Sequence, residues 1–369
     1  MRPLTITKID IYKLNIRLNK PFRISLGVQE AAENILVKIY TNENLYGFGE
    51  GAPVSWIAGE TQTTAYEAAK DLARLIIGKN PLHIEKRMQE LNNFLVYNTT
   101  AKSAFDMALY DILAKRAGLP LYELLGGEKQ EFYTDLTVGI DTPEVMAQDA
   151  LDIQKRGFPA IKVKLGTNRI DDVARIRSIR DAVGPDIPIR IDANQGWNVI
   201  TAIAILNDLA PLNIQYCEEP VPHWNNNGLK QVHKKSPIPI AADESLFDHH
   251  DALRLASMEA CDIFNIKLAK SGGIHNALKI NAIAEGAGMQ CMVGSMSESR
   301  LGLSAAAHLV SARPNIVFAD LDTAFIQTKD PVIGGISYDG GKIILSDEPG
   351  HGADFDPDYL ESMEYVSIN

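Results

Sequence analysis

Cysteine is scarce in this chain. Cys217, Cys261 and Cys291 are the only three in 369 residues, an odd and scattered set. That excludes a disulfide framework and points to a reducing compartment. The eight histidines are equally dispersed, and the adjacent His249 and His250 sit in a polar helix start that reads as a solvated face. No apolar run approaches membrane-spanning length, and the opening "MRPLTITKIDIYKLNI" lacks the apolar core of a signal peptide. Basic charge is in deficit: the net charge of −11 argues against a nucleic-acid surface, although a local site can still oppose the global sign. A dinucleotide fingerprint is missing too, since "GFGEG" (47–51) has the wrong spacing and context. What is left is a cytoplasmic chain of ordinary balance, 46% hydrophobic and 22% charged, long enough for a large domain plus a smaller one.

Residues 4–16 and 34–40 alternate like strands, and 61–78, 82–95 and 100–117 read as helices. In the last of these, Ala104, Phe105, Ala108, Leu109, Ile112 and Leu113 form one apolar stripe closed by Gly118 and Pro120. This part is a small α+β domain over residues 1–125. From about 132, short apolar segments alternate with helix-like stretches, each segment ending in a polar or small residue. Thr137, Lys164, Asp192, Glu218, Asp243, Lys267, Ser295 and Asp320 follow one another at intervals of 24 to 28 residues. Eight such units with right-handed crossovers predict an α/β fold, a (β/α)8 TIM barrel, over 126–328. A doubly wound open sheet is the alternative and rarely needs so many regular units. The tail, 329–369, reads as a hairpin and loop that returns to the N-terminal domain.

Active sites of such barrels lie at the C-terminal ends of the strands. Asp192, Glu218 and Asp243 end three consecutive strands, and three converging carboxylates repel unless a hard cation with oxygen ligands joins them, Mg²⁺ above all. A single carboxylate there would read as a helix cap; three in succession favour the metal. Lys162 and Lys164 in "AIKVKLG" end strand two, and Lys267 ends strand six, diametrically opposite. A substrate held on the metal would therefore meet one lysine on each face. A lysine becomes a usable base when its pKa falls, and Lys162 supplies Lys164 with a neighbouring cation for that purpose.

These segments resemble the enolase superfamily, in its muconate-lactonising subgroup, over nearly the whole chain. "AIKVKLG" resembles the KxK motif of strand two. "RIDANQGW", "CEEP" and "AADES" resemble the metal-ligand strands, and "FNIKLAKSGG" the lysine motif of strand six. The resemblance implies that residues 1–125 form a capping domain, completed by the C-terminal segment, with two mobile specificity loops near 20–27 and 54–61. It also implies one Mg²⁺ per subunit, held by Asp192, Glu218 and Asp243, and abstraction of a proton α to a carboxylate by Lys164 or Lys267, through an enediolate.

"FADLDTAF" narrows the reaction. Asp320 and Asp322 share a side at the end of strand eight and resemble the Asp-x-Asp with which dipeptide epimerases hold a free ammonium. Two carboxylates cage a cation and repel a dianion. The expectation is an isomerase: a dipeptide epimerase inverting the C-terminal residue of an Ala-Xaa-type dipeptide. Lys162 would polarise the substrate carboxylate, and Thr137 and Ser295 would line the pocket. An o-succinylbenzoate synthase, an N-succinylamino acid racemase or a muconate cycloisomerase on the same scaffold are the alternatives. In "KPFRISLG", Arg23 could meet an acidic second residue, as in Ala-Glu dipeptides of murein, while Phe22, Ile24 and Leu26 suit a small or apolar one, which is the favoured reading. The expected partner is a small molecule, with no nucleic acid and no membrane, and a homo-oligomer is compatible.

Overall fold

A computed structural model describes residues 3–369. β1 (Ile6–Ile24) and β2 (Gly27–Thr41) form a long antiparallel hairpin, β3 (Tyr46–Gly51) pairs with β2, and the strand Tyr365–Ile368 pairs with the other edge of β1. The sheet is covered on both faces. Ile9 and Ile11 join a core with the helices Gln62–Ile76, Ile84–Phe94 and Thr99–Ala117, while Tyr12, Leu14 and Ile16 meet Phe48, Leu301 and Phe355 on the other side. Both strands run further than their core alternation suggests. The stretch "KPFRISLG", expected as a loop, is the tip of this hairpin and turns at Ser25–Leu26.

The helix Thr99–Ala117 is also not the one-stripe helix that its apolar spacing predicts. It is buried almost all round, with Lys102, Asp106 and Asp111 enclosed along with Phe105, Leu109 and Ile112. The reason is its position between the sheet and the barrel. The Asp111 carboxylate accepts the Phe48 N–H at 3.0 Å, and the Asp106 carboxylate accepts backbone N–H groups of Ile274 and His275 where the barrel helix Ile274–Ala287 begins. Charged residues on this helix cap and brace other elements instead of meeting water.

"GFGEG" owes its glycines to the same packing. A Cβ on Gly47, Gly49 or Gly51 would collide with the carbonyl oxygens of Ala108, Ala104 and Thr100, one helical turn apart each time. So β3 lies directly on the helix backbone. The alternate residues point the other way. The buried Glu50 carboxylate accepts the Ser299 N–H at 2.9 Å, the Gly302 N–H at 3.1 Å and Asn34 Nδ2 at 2.7 Å. Glu50 thereby caps the barrel helix Arg300–Ala312 from the other domain.

Eight parallel strands form one sheet in sequence order: Leu136–Val138, Ile161–Lys164, Ile189–Asp192, Ile214–Glu218, Ile240–Ala242, Ile263–Ile266, Gln290–Gly294 and Ile316–Asp320. A bridge between Thr134 and Ala319 closes the ring. Tyr216, Ala241, Ile263 and Met292 fill its lower interior, a packed core with the polar strand ends above it. The tail hairpin, Ser337–Asp339 with Lys342–Ile344, pairs with Phe132–Tyr133 just ahead of the first barrel strand. Cys217, Cys261 and Cys291 are buried free thiols, and no helix of the described residues is long and apolar enough to cross a membrane.

Two outcomes follow. Gly49→Ala should cost about 3 kcal/mol or more, because backbone atoms of Ala104 and Ala108 stand where the new methyl would go; a melt of the variant beside the native protein checks it. His308, stacked on Tyr122, accepts the Tyr122 N–H at Nδ1, and burial pushes its pKa down to about 3. The unfolded chain binds this proton near pH 6.5 and the folded one does not. The contribution is therefore complete above pH 6.5 and lost progressively as pH falls toward 3, by at most about 1.4 kcal/mol per pH unit. Stability measured against pH should show that slope in the native protein and a shallower one in His308→Asn.

Candidate active site

The strand ends converge beneath the capping domain on one pocket. Thr137, Lys164, Lys267, Ser295, Asp320 and Asp322 line it from the barrel. Phe22, Ile24, Gln29, Val54, Trp56 and Ile57 line it from the cap. Strand alternation explains the cap's contribution: Phe22 and Ile24 face the pocket, so Arg23 between them must face away. It is exposed and borders a separate groove with Asp141 and Arg175. Arg23 is thus not placed to meet a bound side chain, contrary to one of the sequence expectations.

The hairpin tip is seated on the barrel by Ser25 Oγ, which donates to the Asn194 carbonyl at 2.7 Å, and by Ile140 N–H, which donates to the Arg23 carbonyl at 3.1 Å. Gly166, the last residue of "AIKVKLG", makes this seating possible. Its φ of +103° belongs to glycine, and a Cβ would strike Ala193 and the side chain of Ser25.

Asp192, Glu218 and Asp243 are buried and bring carboxylate oxygens within 4.8 Å of one another. Their surroundings differ. Burial alone would raise the Asp192 pKa, but Lys164 at 2.6 Å and Lys162 hold it below the ordinary range. Asp243 is held lower still against burial by Lys267 at 2.7 Å and by Lys270. Glu218 is pushed up to about 7 by burial and by Asp192, with Lys162 opposing. Its Oε2 lies 2.8 Å from Lys162 Nζ but outside hydrogen-bond geometry, and its Oε1 accepts Asn265 Nδ2 at 2.8 Å. Glu219, the second acid of "CEEP", turns away at a φ of +33° and accepts the N–H groups of Asp243 at 2.8 Å and Ser245 at 3.2 Å. It fixes the end of strand five. An oxygen-only donor set with one oxygen free of hydrogen bonds fits a hard divalent cation, which Asp192, Glu218 and Asp243 could hold.

Lys162 does not reach the pocket wall. It is 1% exposed and lies beneath, 2.6 Å from Asp320, 2.8 Å from Glu218 and 3.5 Å from Asp192. The charge expected to act on Lys164 is engaged by these three carboxylates, which outweigh burial and keep Lys162 well above the ordinary lysine range. Asp320 and Asp322 form a second acidic group with Asp135. Burial and Asp320 push Asp322 up to about 6, and its carboxylate accepts the Thr137 N–H at 2.8 Å. Ser295 Oγ donates to the Asp320 carbonyl at 3.0 Å. Lys270, Asn265, Glu219, Asn194 and Asp135 were not singled out from sequence. The doubled letters in "CEEP" and "KLAK" were their only signal, and a buried supporting residue has no spacing rule of its own.

A (β/α)8 barrel under an α+β cap, with a carboxylate trio between opposed lysines, defines a class of proteins built for metal-assisted proton transfer next to a carboxylate. The chain belongs to the enolase superfamily: residues 145–359 match the model of the enolase C-terminal domain-like family, and residues 6–126 that of the mandelate racemase / muconate lactonizing enzyme N-terminal domain. It is 46% identical to the D-Ala-D/L-Ala epimerase of Cytophaga hutchinsonii over 99% of this chain and 100% of that one. The structure of that organism's dipeptide epimerase with Mg and D-Ala-L-Val, at the same identity and coverage, superposes with a TM-score of 0.98. The hydrophobic dipeptide epimerase of Enterococcus faecalis is 43% identical over 92% of this chain and 97% of the relative. The L-Ala-D/L-Glu epimerase of Clostridium acetobutylicum is 42% identical over 95% and 98%.

Ligand linkage gives a direct test of the trio. Mg²⁺ at a hundredfold excess over its dissociation constant should stabilise the protein by about 2.7 kcal/mol. Asp243→Asn should abolish the gain. Melts with Mg²⁺ and with EDTA check both.

Proposed function

We propose that this chain is a Mg²⁺-dependent dipeptide epimerase that inverts the α carbon of the C-terminal residue. The carrying observation is the pocket itself: Lys164 and Lys267, from strands two and six, open onto one cavity that also holds Asp320 and Asp322. The metal, held by Asp192, Glu218 and Asp243, would polarise the substrate carboxylate and take over the carboxylate charge that Lys164 and Lys267 now balance. Asp320 and Asp322 receive the ammonium of the first residue, and Thr137 and Ser295 hold these two acids and line the wall beside them. One lysine removes the α proton and its opposite number returns a proton to the other face, so the configuration of the substrate decides which acts as base. Lys162 acts from below, keeping Asp320 and Glu218 in place and adding positive potential under the substrate.

The second residue is small or apolar on this reading. Phe22, Ile24, Trp56, Ile57, Met296 and Ile326 line the pocket, and Arg23 is turned away from it. An N-succinylamino acid or another dianion meets two carboxylates where it would need a cation.

In D₂O, an Ala-Xaa dipeptide with an apolar second residue should lose that residue's α-proton signal in a Mg²⁺-dependent manner, followed by ¹H NMR. Lys164→Ala and Lys267→Ala should each lower kcat by about 10²–10⁴-fold, the scale of general acid–base catalysis. Asp320→Asn with Asp322→Asn should raise KM for dipeptides and leave N-succinyl substrates unharmed or improved. Absence of exchange with every dipeptide tried would defeat the assignment.

A further inference from the structure

One junction of the barrel is built differently from the rest. Strands one to eight are joined in turn by ladders of two or more registered pairs. Strands eight and one meet only at the Thr134–Ala319 bridge. Asp320 and Asp322 stand on that seam. Since the backbone ladder is almost absent there, side chains must hold the two strands in register.

Two of the contacts are local: Leu321 N–H donates to Thr134 Oγ1 at 2.8 Å, and Thr137 N–H donates to Asp322 at 2.8 Å. The third comes from strand three. Arg190 crosses the barrel interior and its Nη1 donates to Asp135 Oδ2 at 2.8 Å, on the strand-one side, and to the Ala319 carbonyl at 3.1 Å, on the strand-eight side. Nε donates to Gln215 Oε1 at 2.8 Å, and the guanidinium lies 5.0 Å from the Phe318 ring centre and 5.7 Å from that of Tyr216. The group is therefore held through Nε and Nη1 and by the two rings. Asp135, buried, has one carboxylate oxygen without a partner and lies within 4.8 Å of the Asp320 and Asp322 oxygens. Uncompensated, its charge would repel both.

We propose that Arg190 is a positioning residue for the ammonium subsite: it clips strand one to strand eight where the ladder is missing and neutralises Asp135, so that Asp320 and Asp322 keep their aim into the pocket. This rests on the reading of those two aspartates as ammonium partners. Lysine does not reproduce arginine here, because an ammonium that met Asp135 and Ala319 would leave Gln215, now held by Nε, and the stacking on Phe318 without a counterpart.

The test uses the full chain as Arg190→Met, Arg190→Lys and Asp135→Asn, the last keeping the guanidinium and an amide oxygen that can still accept from it should Arg190→Met fail to fold. Hydrogen exchange is followed by mass spectrometry over 132–139 and 318–324, and kinetics with a free dipeptide. Exchange in both seam segments should accelerate in all three variants, least in Asp135→Asn. KM should rise about tenfold, the scale of one charge-assisted hydrogen bond, with kcat within about threefold and Mg²⁺ affinity unchanged. Unaltered seam exchange in the folded variants would overturn the clip, whatever the activity. An open seam with unchanged KM would overturn its link to the subsite. A native protein that exchanges no dipeptide defeats the functional reading separately, and the seam measurement still decides the clip.

Discussion

The organisation of this molecule depends on a fully enclosed ammonium group, that of Lys162, set between two clusters of acids. On one side are Asp192 and Glu218, on the other Asp320. Carboxylates so close together in a dry barrel mouth would not stay ionised together without it. Lys164, Lys267, Lys270 and Arg190 extend the same compensation around the ring, each pairing with an acid of a neighbouring or facing strand. Removing one member of such a set leaves its partner buried and bare, which costs about 3–5 kcal/mol. The arrangement therefore fixes geometry more than it adds stability. The ends of strands two to six and eight are each tied to a charge on another strand.

That geometry is useful only because the second domain covers it. The barrel supplies the charged floor, and the cap supplies apolar walls and excludes water, which strengthens each charge below. Buried polar groups align the join: Glu50 and Asn34 bind the segment 297–302 that also forms pocket wall, and Ser25 binds the loop after strand three. Glycines at 47, 49 and 51 let β3 lie close enough to the helix Thr99–Ala117 for Glu50 to reach. Thus a motif without any chemistry of its own aligns the cap over residues that have it.

Much of this was legible beforehand. The eight strand ends were readable because a parallel strand buried on both faces is a short apolar run that stops at a polar residue. The helix Thr99–Ala117 was readable as a helix but not as an enclosed one: its Lys102, Asp106 and Asp111 look like a solvent face until the sheet and the barrel are placed around them. The hairpin tip at 20–27 looked like a loop, since Pro21 and Gly27 mark turns as readily as strand ends. The supporting shell of Glu219, Asn265 and Lys270 was silent, because its partners lie tens of residues away.

Local sequence thus determined which elements form and which chemical groups sit at the barrel mouth, because period, turn residues and residue type act over a few positions. It could not say which charge meets which. Lys162 was expected to act on its neighbour Lys164, and nothing in that stretch announces its ion pair with Asp320, 158 residues later. Arg23 was a candidate for the pocket and was excluded by the facing of one strand residue. Pairing of charges and the direction of a side chain are decided by closure of the ring and seating of the cap, which are properties of the whole chain.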